Sequence, residues 1–127
     1  MKKTTNDGTI RLHEGELNIM ELLWSNKELA AKDIAKIIKG CIGWEKNTTY
    51  TVIKRLIDKG AILRKEPGFI CKALVEKSFI QEIETKALLK KLYNGSLTNF
   101  IVTYLAEQEL SQNDIIELKK IVSREQN

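Results

Sequence analysis

Lys46–Gly60, with the sequence KNTTYTVIKRLIDKG, decides the fold. On a helix of about 100° per residue, its side chains separate into two opposite arcs. One arc is suited to packing on a core and comprises Thr49, Tyr50, Val52, Ile53, Leu56 and Ile57. The other arc carries amide, hydroxyl and charged groups: Asn47, Thr48, Thr51, Lys54, Arg55 and Asp58. The stretch therefore predicts an amphipathic helix, from about Lys46 to Lys59, that ends on Gly60.

A β-hairpin is predicted directly after this helix. Ala61–Glu66 and Phe69–Val75 are apolar, partly alternating runs on either side of Pro67-Gly68. Proline presets φ at the first central position of a turn, and glycine tolerates the positive φ of the second. The two runs are therefore expected to pair as antiparallel strands.

Two helices are predicted before it. Glu14–Ser25 has an apolar stripe formed by Leu17, Met20, Leu23 and Trp24. Lys27–Ala30 is interpreted as a connector, and Ala31–Lys39 as a second helix whose buried side contains Ile34, Ile37 and Ile38. Gly40 is expected to form the left-handed cap of that helix. Three helices followed by a hairpin is the order of a winged helix-turn-helix domain.

The rest of the chain is predicted to be helical. Ser78, Ser96 and Ser111 are candidate N-caps of helices that reach about Tyr93, Glu107 and Arg124. The last two helices carry apolar stripes, which we predict to be the dimerisation surface: Leu97, Phe100, Ile101, Tyr104, Leu105, Ile115, Leu118, Ile121 and Val122. Because about fifty residues cannot cover these stripes alone, a homodimer is expected.

The expected architecture is thus mainly α with a small β-hairpin wing. Residues 1–76 are predicted to form the winged-helix domain and residues 77–127 a helical dimerisation domain. The chain has 127 residues, of which 43% are hydrophobic and 30% are charged, and this size and composition are typical of a folded protein. The length excludes a large multi-domain enzyme.

Charge is distributed unevenly along the chain. Residues 1–75 contain 14 Lys and Arg against 9 Asp and Glu, a net charge of +5, whereas residues 76–127 have a net charge of −1. A basic N-terminal part favours a polyanionic partner, with nucleic acid as the leading candidate.

Membrane insertion and secretion are not expected. The longest stretch without charge, Leu92–Ala106, is interrupted by Asn94, Ser96, Thr98 and Asn99 and is shorter than the roughly 20 apolar residues of a membrane span. Met1–Gly8 contains two lysines without an apolar segment behind them, so it does not resemble a secretory signal. A cytoplasmic location is predicted.

The sequence offers little for catalysis or metal binding. Cys41, Cys71 and His13 are too few and too scattered for a zinc site or a disulfide framework, and both cysteines are expected to be buried. Glu14 and Glu16 are interpreted as charges at a helix N-terminus. With no nucleophile beside a base and no phosphate-binding glycine loop, we predict neither enzymatic activity nor a cofactor.

The polar arc of the Lys46–Lys59 helix has the chemistry of a helix that reads DNA. Amide and hydroxyl groups can contact base edges, and cations can contact phosphates. We predict base contacts by Asn47, Thr48 and Thr51, and backbone contacts by Lys46, Lys54, Arg55, Arg64, Lys65 and Lys72. Two alternatives are an ordinary solvated helix face and a protein-interaction module that binds an acidic protein.

Several motifs resemble a known family. Gly43–Ala61 is similar to the recognition-helix signature of the penicillinase and methicillin-resistance repressors, the BlaI/MecI family. Glu16-Leu17-x-x-Met20-x-x-Leu23-Trp24, Leu74-Val75 and Tyr93-x-Gly95-Ser96 also fit, so the resemblance extends from about Ile10 to Val122. It implies a winged-helix domain, a helical dimerisation domain and repression at a palindromic double-stranded DNA operator of an antibiotic-response gene such as a β-lactamase gene.

Some positions depart from the family pattern. Glu45-Lys46 stands where a Ser-Pro pair usually opens the recognition helix, and Asn47 replaces a common lysine. Phe69 and Cys71 replace the usual tyrosines of the wing. His13 stands where a Ser or Thr cap is frequent, and is interpreted as a surface or capping residue.

The resemblance also implies a route of induction. In the antibiotic-responsive branch, a membrane sensor protease of the BlaR/MecR type triggers cleavage of an Asn–Phe bond, and Asn99-Phe100 matches it. Phe100 is equally explained as one member of the apolar stripe, and a family repressor answering a different signal is the alternative. The copper-responsive branch has a cysteine-rich C-terminus that Ser123–Asn127 lacks, so direct copper sensing is not expected.

Overall fold

The protein's structure, a computed structural model, describes the backbone of residues 10–126 and side chains up to Arg124; Met1–Gly8, analysed above, lies outside it. Its elements follow in this order: α1 (Glu14–Asn26), β1 (Glu28–Ala30), α2 (Ala31–Cys41), α3 (Lys46–Asp58), β2 (Ile62–Lys65), β3 (Ile70–Ala73), α4 (Lys77–Leu92), α5 (Leu97–Leu105) and α6 (Gln112–Gln126). The expected class, mainly α with a small wing, is confirmed.

The chain forms two compact units. The first ends at Thr85 and the second begins at Lys86, so the division falls inside α4. It falls there because the first turns of α4 belong to the first unit: Ile80 is buried in its core and Ile83 packs against that core. The boundary expected after residue 76 coincides with the start of α4 and stays a prediction.

The three strands form one antiparallel sheet in the order β1-β3-β2. The predicted hairpin is present, with Ile62 paired to Ala73 and Lys65 to Ile70. Gly68 in its turn has the positive φ that was expected, 97°. The connector prediction for Lys27–Ala30 was wrong, because Glu28–Ala30 pairs with the far edge of β3. A strand of three residues is too short to show the alternating pattern of a β-strand in the sequence, and the residues of β3 with which it pairs lie some forty positions later.

Helices α1, α2 and α3 pack with this sheet around one core. The largest fully buried apolar side chains are Ile19, Met20, Leu23, Ile34, Ile53, Leu56, Ile62 and Cys71. In α1 the buried stripe is Glu16, Ile19, Met20 and Leu23, whereas the predicted members Leu17 and Trp24 are only partly buried. Ile37 of α2, also predicted to be buried, is 37% exposed.

The predicted helix ends agree with the structure where a residue next to the helix forms the cap. Ser96 Oγ accepts from the Asn99 N–H at 2.9 Å, and Ser111 Oγ accepts from the Asp114 N–H at 3.0 Å, so both predicted caps are confirmed. Gly60, with φ of 83°, follows α3 as expected. Ser78 instead lies inside the first turn of α4, which starts at Lys77.

Gly40 does not cap α2. The helix continues to Cys41, and Gly43 adopts the left-handed conformation, with φ of 91°. The Ile42 and Gly43 N–H groups both donate to the Ile38 carbonyl, at 2.7 and 3.1 Å, which gives this last carbonyl the partners it needs. Cys41, the last residue of α2, is exposed, so the prediction that both cysteines are buried holds only for Cys71.

In the second unit the helices leave much apolar surface in contact with solvent. No residue of α5 is buried, and Leu97, Ile101, Val102 and Tyr104 are 42–64% exposed. In α6 the exposed apolar residues are Ile116, Leu118, Ile121 and Val122. Phe100 is half-buried between two rings, edge-on to Tyr93 at 5.1 Å and stacked on Tyr104 at 5.7 Å.

Candidate nucleic-acid interface

The two predicted arcs of α3 are both present. Its buried residues are Thr49, Val52, Ile53 and Leu56, with Tyr50 and Ile57 half-buried beside them. The residues of the predicted polar arc are all exposed: Asn47, Thr48, Thr51, Lys54, Arg55 and Asp58. The helix is therefore fixed in the first unit by one face and offers a continuous polar face to a ligand.

The N-terminus of α3 is open. The helix begins at Lys46, and its N-cap, Glu45, makes no side-chain cap hydrogen bond. The Glu45 carboxylate instead accepts from Lys39 Nζ at 3.0 and 3.1 Å. An uncapped helix start has unpaired N–H groups and the positive end of the dipole, which suits it to a phosphate.

One cation of the polar arc forms an ion pair within the protein. Arg55 Nε donates to Glu16 Oε2 at 3.1 Å, although the Arg55 side chain is half exposed. Lys59, at the C-cap of α3, donates to Glu16 Oε1 at 2.7 Å. Glu16 is fully buried in α1, so this carboxylate connects the first helix to α3.

Aromatic contacts connect α3 to the wing. Lys46 Nζ lies 5.8 Å from the centroid of the Tyr50 ring, and Tyr50 meets Phe69 edge-on at 5.7 Å. The Arg64 guanidinium carbon lies 3.6 Å from the centroid of Phe69. These four side chains, Lys46, Tyr50, Phe69 and Arg64, form a continuous helix-to-wing stack that begins and ends with a cation.

The predicted backbone-contacting cations of the wing differ in their surroundings. Arg64 pairs with Glu66, and Lys65 donates to Glu28 at 2.6 Å. Within residues 10–124, no carboxylate lies within ion-pair distance of Lys72. All of these side chains are exposed, and such surface pairs are worth little, so phosphates can replace the carboxylates.

The carboxylates beside these cations stay ionised to lower pH. The hydrogen bond from Lys65 holds the pKa of Glu28 below its ordinary value. The hydrogen bond from Arg64 lowers the pKa of Glu66 in the same way. Both carboxylates are therefore ionised at neutral pH, and any anion that binds the wing cations must compete with them.

The residues that the structure describes offer little support for catalysis, metal binding or membrane insertion. Burial raises the pKa of the Cys71 thiol to about 11, so the thiol is protonated and a poor nucleophile at neutral pH. Among the side chains that the structure describes, no three His, Cys, Asp or Glu residues are grouped to hold a metal ion. None of the helices within residues 10–126 is both long and apolar enough to pass through a bilayer.

Comparison with known proteins decides the family. A family model described as penicillinase repressor matches residues 12–124. The chain belongs to the penicillinase repressor family. The resemblance read from Gly43–Ala61 is thereby confirmed, and the family is one of transcriptional repressors rather than enzymes.

Individual members of the penicillinase repressor family are similar over nearly their whole length. The methicillin resistance regulatory protein MecI of Staphylococcus aureus is 30% identical over 118 residues, which cover 91% of this chain and 96% of MecI. The penicillinase repressor of Bacillus licheniformis is 26% identical over 119 residues, covering 92% and 93% of the two chains.

A solved structure supports the same fold. The DNA-binding domain of the repressor BlaI superposes with a TM-score of 0.53 and 25% identity. The match covers 62% of this chain and 93% of that domain. The winged helix-turn-helix fold predicted from the order of three helices and a hairpin is therefore confirmed.

Glu16 is a residue of the site that sequence reasoning missed. It was interpreted as a helix-terminal charge, and it does accept from the His13 N–H at 2.7 Å in the first turn of α1. Its spacing held a second signal, because Glu16, Ile19, Met20 and Leu23 follow the i, i+3, i+4, i+7 pattern of a buried stripe. A carboxylate on such a stripe needs a cationic partner.

Proposed function

We propose that this chain is a dimeric, sequence-specific repressor that binds a palindromic DNA operator. The observation that carries the proposal is the exposed polar arc of α3, in the unit whose fold is that of a repressor's DNA-binding domain. In this proposal Asn47, Thr48 and Thr51 contact base edges. The phosphate contacts come from the cations Lys46, Lys54, Arg55, Arg64, Lys65 and Lys72.

The second unit supplies the dimer in this proposal. The apolar residues of α5 and α6 that solvent reaches within one chain are suited to burial against a second copy. The interface would contain the stripe residues Leu97, Phe100, Ile101, Tyr104, Leu105, Ile115, Leu118, Ile121 and Val122. A two-fold dimer requires an inverted-repeat operator whose half-sites are about one turn of 10 bp, or a multiple of it, apart.

The proposed signal is an antibiotic of the β-lactam class, with a gene of antibiotic response under control. Relatives named for penicillinase repression and methicillin resistance support this. Release from DNA would follow cleavage between Asn99 and Phe100 after activation of a membrane sensor protease of the BlaR/MecR type. Cutting there would detach Phe100 and all later residues of the α5 and α6 stripes from the DNA-binding unit.

Cleavage of the Asn99–Phe100 bond would require the first turn of α5 to open. The bond lies in that turn, where the Phe100 N–H donates to the Ser96 carbonyl at 3.1 Å. Thr103 Oγ1 also donates to Asn99 Oδ1 at 3.2 Å. This turn is short, exposed and at the end of a helix, so its opening to a protease costs little.

A footprint on the DNA upstream of the chain's own gene tests the proposal. Purified protein is mixed with that DNA and an excess of random competitor. Protection of an inverted repeat is expected. Absence of protection on that DNA at any salt concentration, together with binding to an acidic protein that DNA does not displace, would favour the interaction module instead.

A further inference from the structure

The buried Glu16 carboxylate is placed to act on DNA through Arg55. Its Oε1 accepts from Lys59 Nζ at 2.7 Å and from the His13 N–H at 2.7 Å. Its Oε2 accepts from Arg55 Nε at 3.1 Å. Lys59 Nζ also donates to the Arg11 carbonyl at 2.9 Å, so the cluster joins the segment before α1 to the end of α3.

Glu16 remains charged in this position. Burial raises the pKa of Glu16, but the hydrogen bonds from Lys59, the His13 N–H and Arg55 outweigh burial and lower the pKa overall. A buried carboxylate with several donors has little freedom to turn. The direction of its Oε2 atom, and with it the direction of the Arg55 bond, is fixed.

The bond to Glu16 determines how Arg55 faces solvent. A guanidinium is flat, so a hydrogen bond at Nε fixes the plane in which the two Nη atoms lie. Among the residues that the structure describes, Nε provides the side-chain hydrogen bond of Arg55, and half of the side chain is exposed. The two Nη atoms are the part of Arg55 left for a ligand.

Arg55 also lies at a useful place on α3. It follows Thr51 by one helical turn and Thr48 by two, so the three side chains lie along one line of the polar arc. We propose that Glu16 is a positioning residue that presents the Arg55 Nη pair as a fork to one DNA phosphate next to the bases read by that line. This inference rests on the proposed DNA binding.

Charge alone predicts the opposite effect of removing Glu16. Loss of a carboxylate makes the protein more positive and strengthens attraction to DNA. Loss of the positioning bond weakens the phosphate contact, because Arg55 must then be ordered on binding. The sign of the change in operator affinity therefore separates the two effects.

The experiment compares Glu16→Gln with Glu84→Gln by operator binding of the full chain. Glu84 pairs with Arg11 at 3.1 Å, lies in the first unit and has no hydrogen bond to α3, so it is a control for charge. We expect about tenfold weaker operator binding for Glu16→Gln, and unchanged or slightly tighter binding for Glu84→Gln.

A double-mutant cycle with Arg55→Ala separates positioning from a general structural role. If Glu16 acts through Arg55, adding Glu16→Gln to Arg55→Ala has no further effect on affinity. A tilt of α3 caused by losing the Lys59 bond would instead weaken binding in both backgrounds. Additive losses would overturn the inference.

Arg55→Lys gives a test that leaves Glu16 in place. A lysine keeps the charge and can still pair with Glu16, but it has no Nη fork. We expect a loss similar to that of Glu16→Gln, with an unchanged dependence of affinity on salt. Wild-type affinity for Arg55→Lys, or tighter operator binding by folded Glu16→Gln, would overturn the proposal. Absence of any DNA binding by the wild type would instead refute the proposed function.

Discussion

The two units treat their apolar residues in opposite ways. In the first, three helices and a sheet bury their apolar faces, and the exposed arc of α3 is polar and cationic. In the second, α5 has no buried residue and Val102 is 64% exposed. The first unit has a buried core within a single copy, and the polar arc of α3 is left exposed. The second leaves apolar side chains of α5 and α6 exposed within one chain, and the proposed dimer would bury them.

The largest loss of operator affinity is expected from a substitution that disrupts the proposed dimer. Ile121→Asp places a charge on an exposed apolar stripe of α6, and we expect it to convert a dimer to a monomer. Operator affinity should fall by about 10²-fold or more, because two coupled half-sites become independent. Sedimentation and operator binding measure both changes. Ser123→Asp, at another exposed position of α6, should preserve the dimer, and a dimeric Ile121→Asp would contradict the interface.

A cavity in the core of the first unit should have the next largest effect. Ile53 is fully buried in α3, and Ile53→Ala is expected to lower the free energy of unfolding by about 2–5 kcal/mol. Urea denaturation measures this, with Leu63→Ala, at a residue 43% exposed, as the control. If Leu63→Ala lowered the free energy of unfolding as much as Ile53→Ala, burial of Ile53 would not explain the loss.

The residues proposed to contact DNA, on the polar arc of α3 and on the wing, are expected to divide into base-reading and charge-neutralising residues. Asn47→Ala and Thr51→Ala should each lose about 1–3 kcal/mol of preference for the operator over random DNA. Lys72→Ala should weaken binding to both DNAs alike and reduce the salt slope by about one. Competition titrations at several salt concentrations measure these quantities. Equal losses on operator and random DNA for all three variants would contradict the assignment.

The smallest expected effect concerns pH. The pKa of Glu16 is lower in the folded protein than in the unfolded chain, so ionised Glu16 stabilises the fold above the ordinary glutamate pKa of about 4.3. That stabilisation is lost as the pH falls through the lowered pKa of the folded state. Urea denaturation between neutral pH and pH of about 3 should show the stability gap between wild type and Glu16→Gln closing. A gap independent of pH would contradict an ionised Glu16.

What the sequence predicted well is what neighbouring residues decide. The arcs of α3 follow from helical periodicity, and the caps at Ser96 and Ser111 follow from a side chain three residues before its donor. The resemblance to a family signature identified the fold because Gly43–Ala61 contains the whole of α3.

What the sequence did not predict depends on residues far apart. Strand β1 exists because Leu29 meets Cys71 across the sheet, and no pattern in three residues announces that pairing. Glu16 meets Arg55 and Lys59 about forty positions later, so its role became visible only once α1 lay against α3. Gly40 was taken as a stop, but two N–H groups on the Ile38 carbonyl carry the helix one residue past it.

The helix-to-wing stack has a consequence for operator choice. Phe69 meets Tyr50 of α3 edge-on and lies against the Arg64 guanidinium of the wing, so one aromatic ring acts as a spacer between the two parts that are proposed to contact DNA. In the proposed complex, a spacer of fixed width would make the binding of the first unit depend on groove width as well as on base sequence. Operators of equal base content but different groove width would then be told apart by a residue that touches no nucleotide.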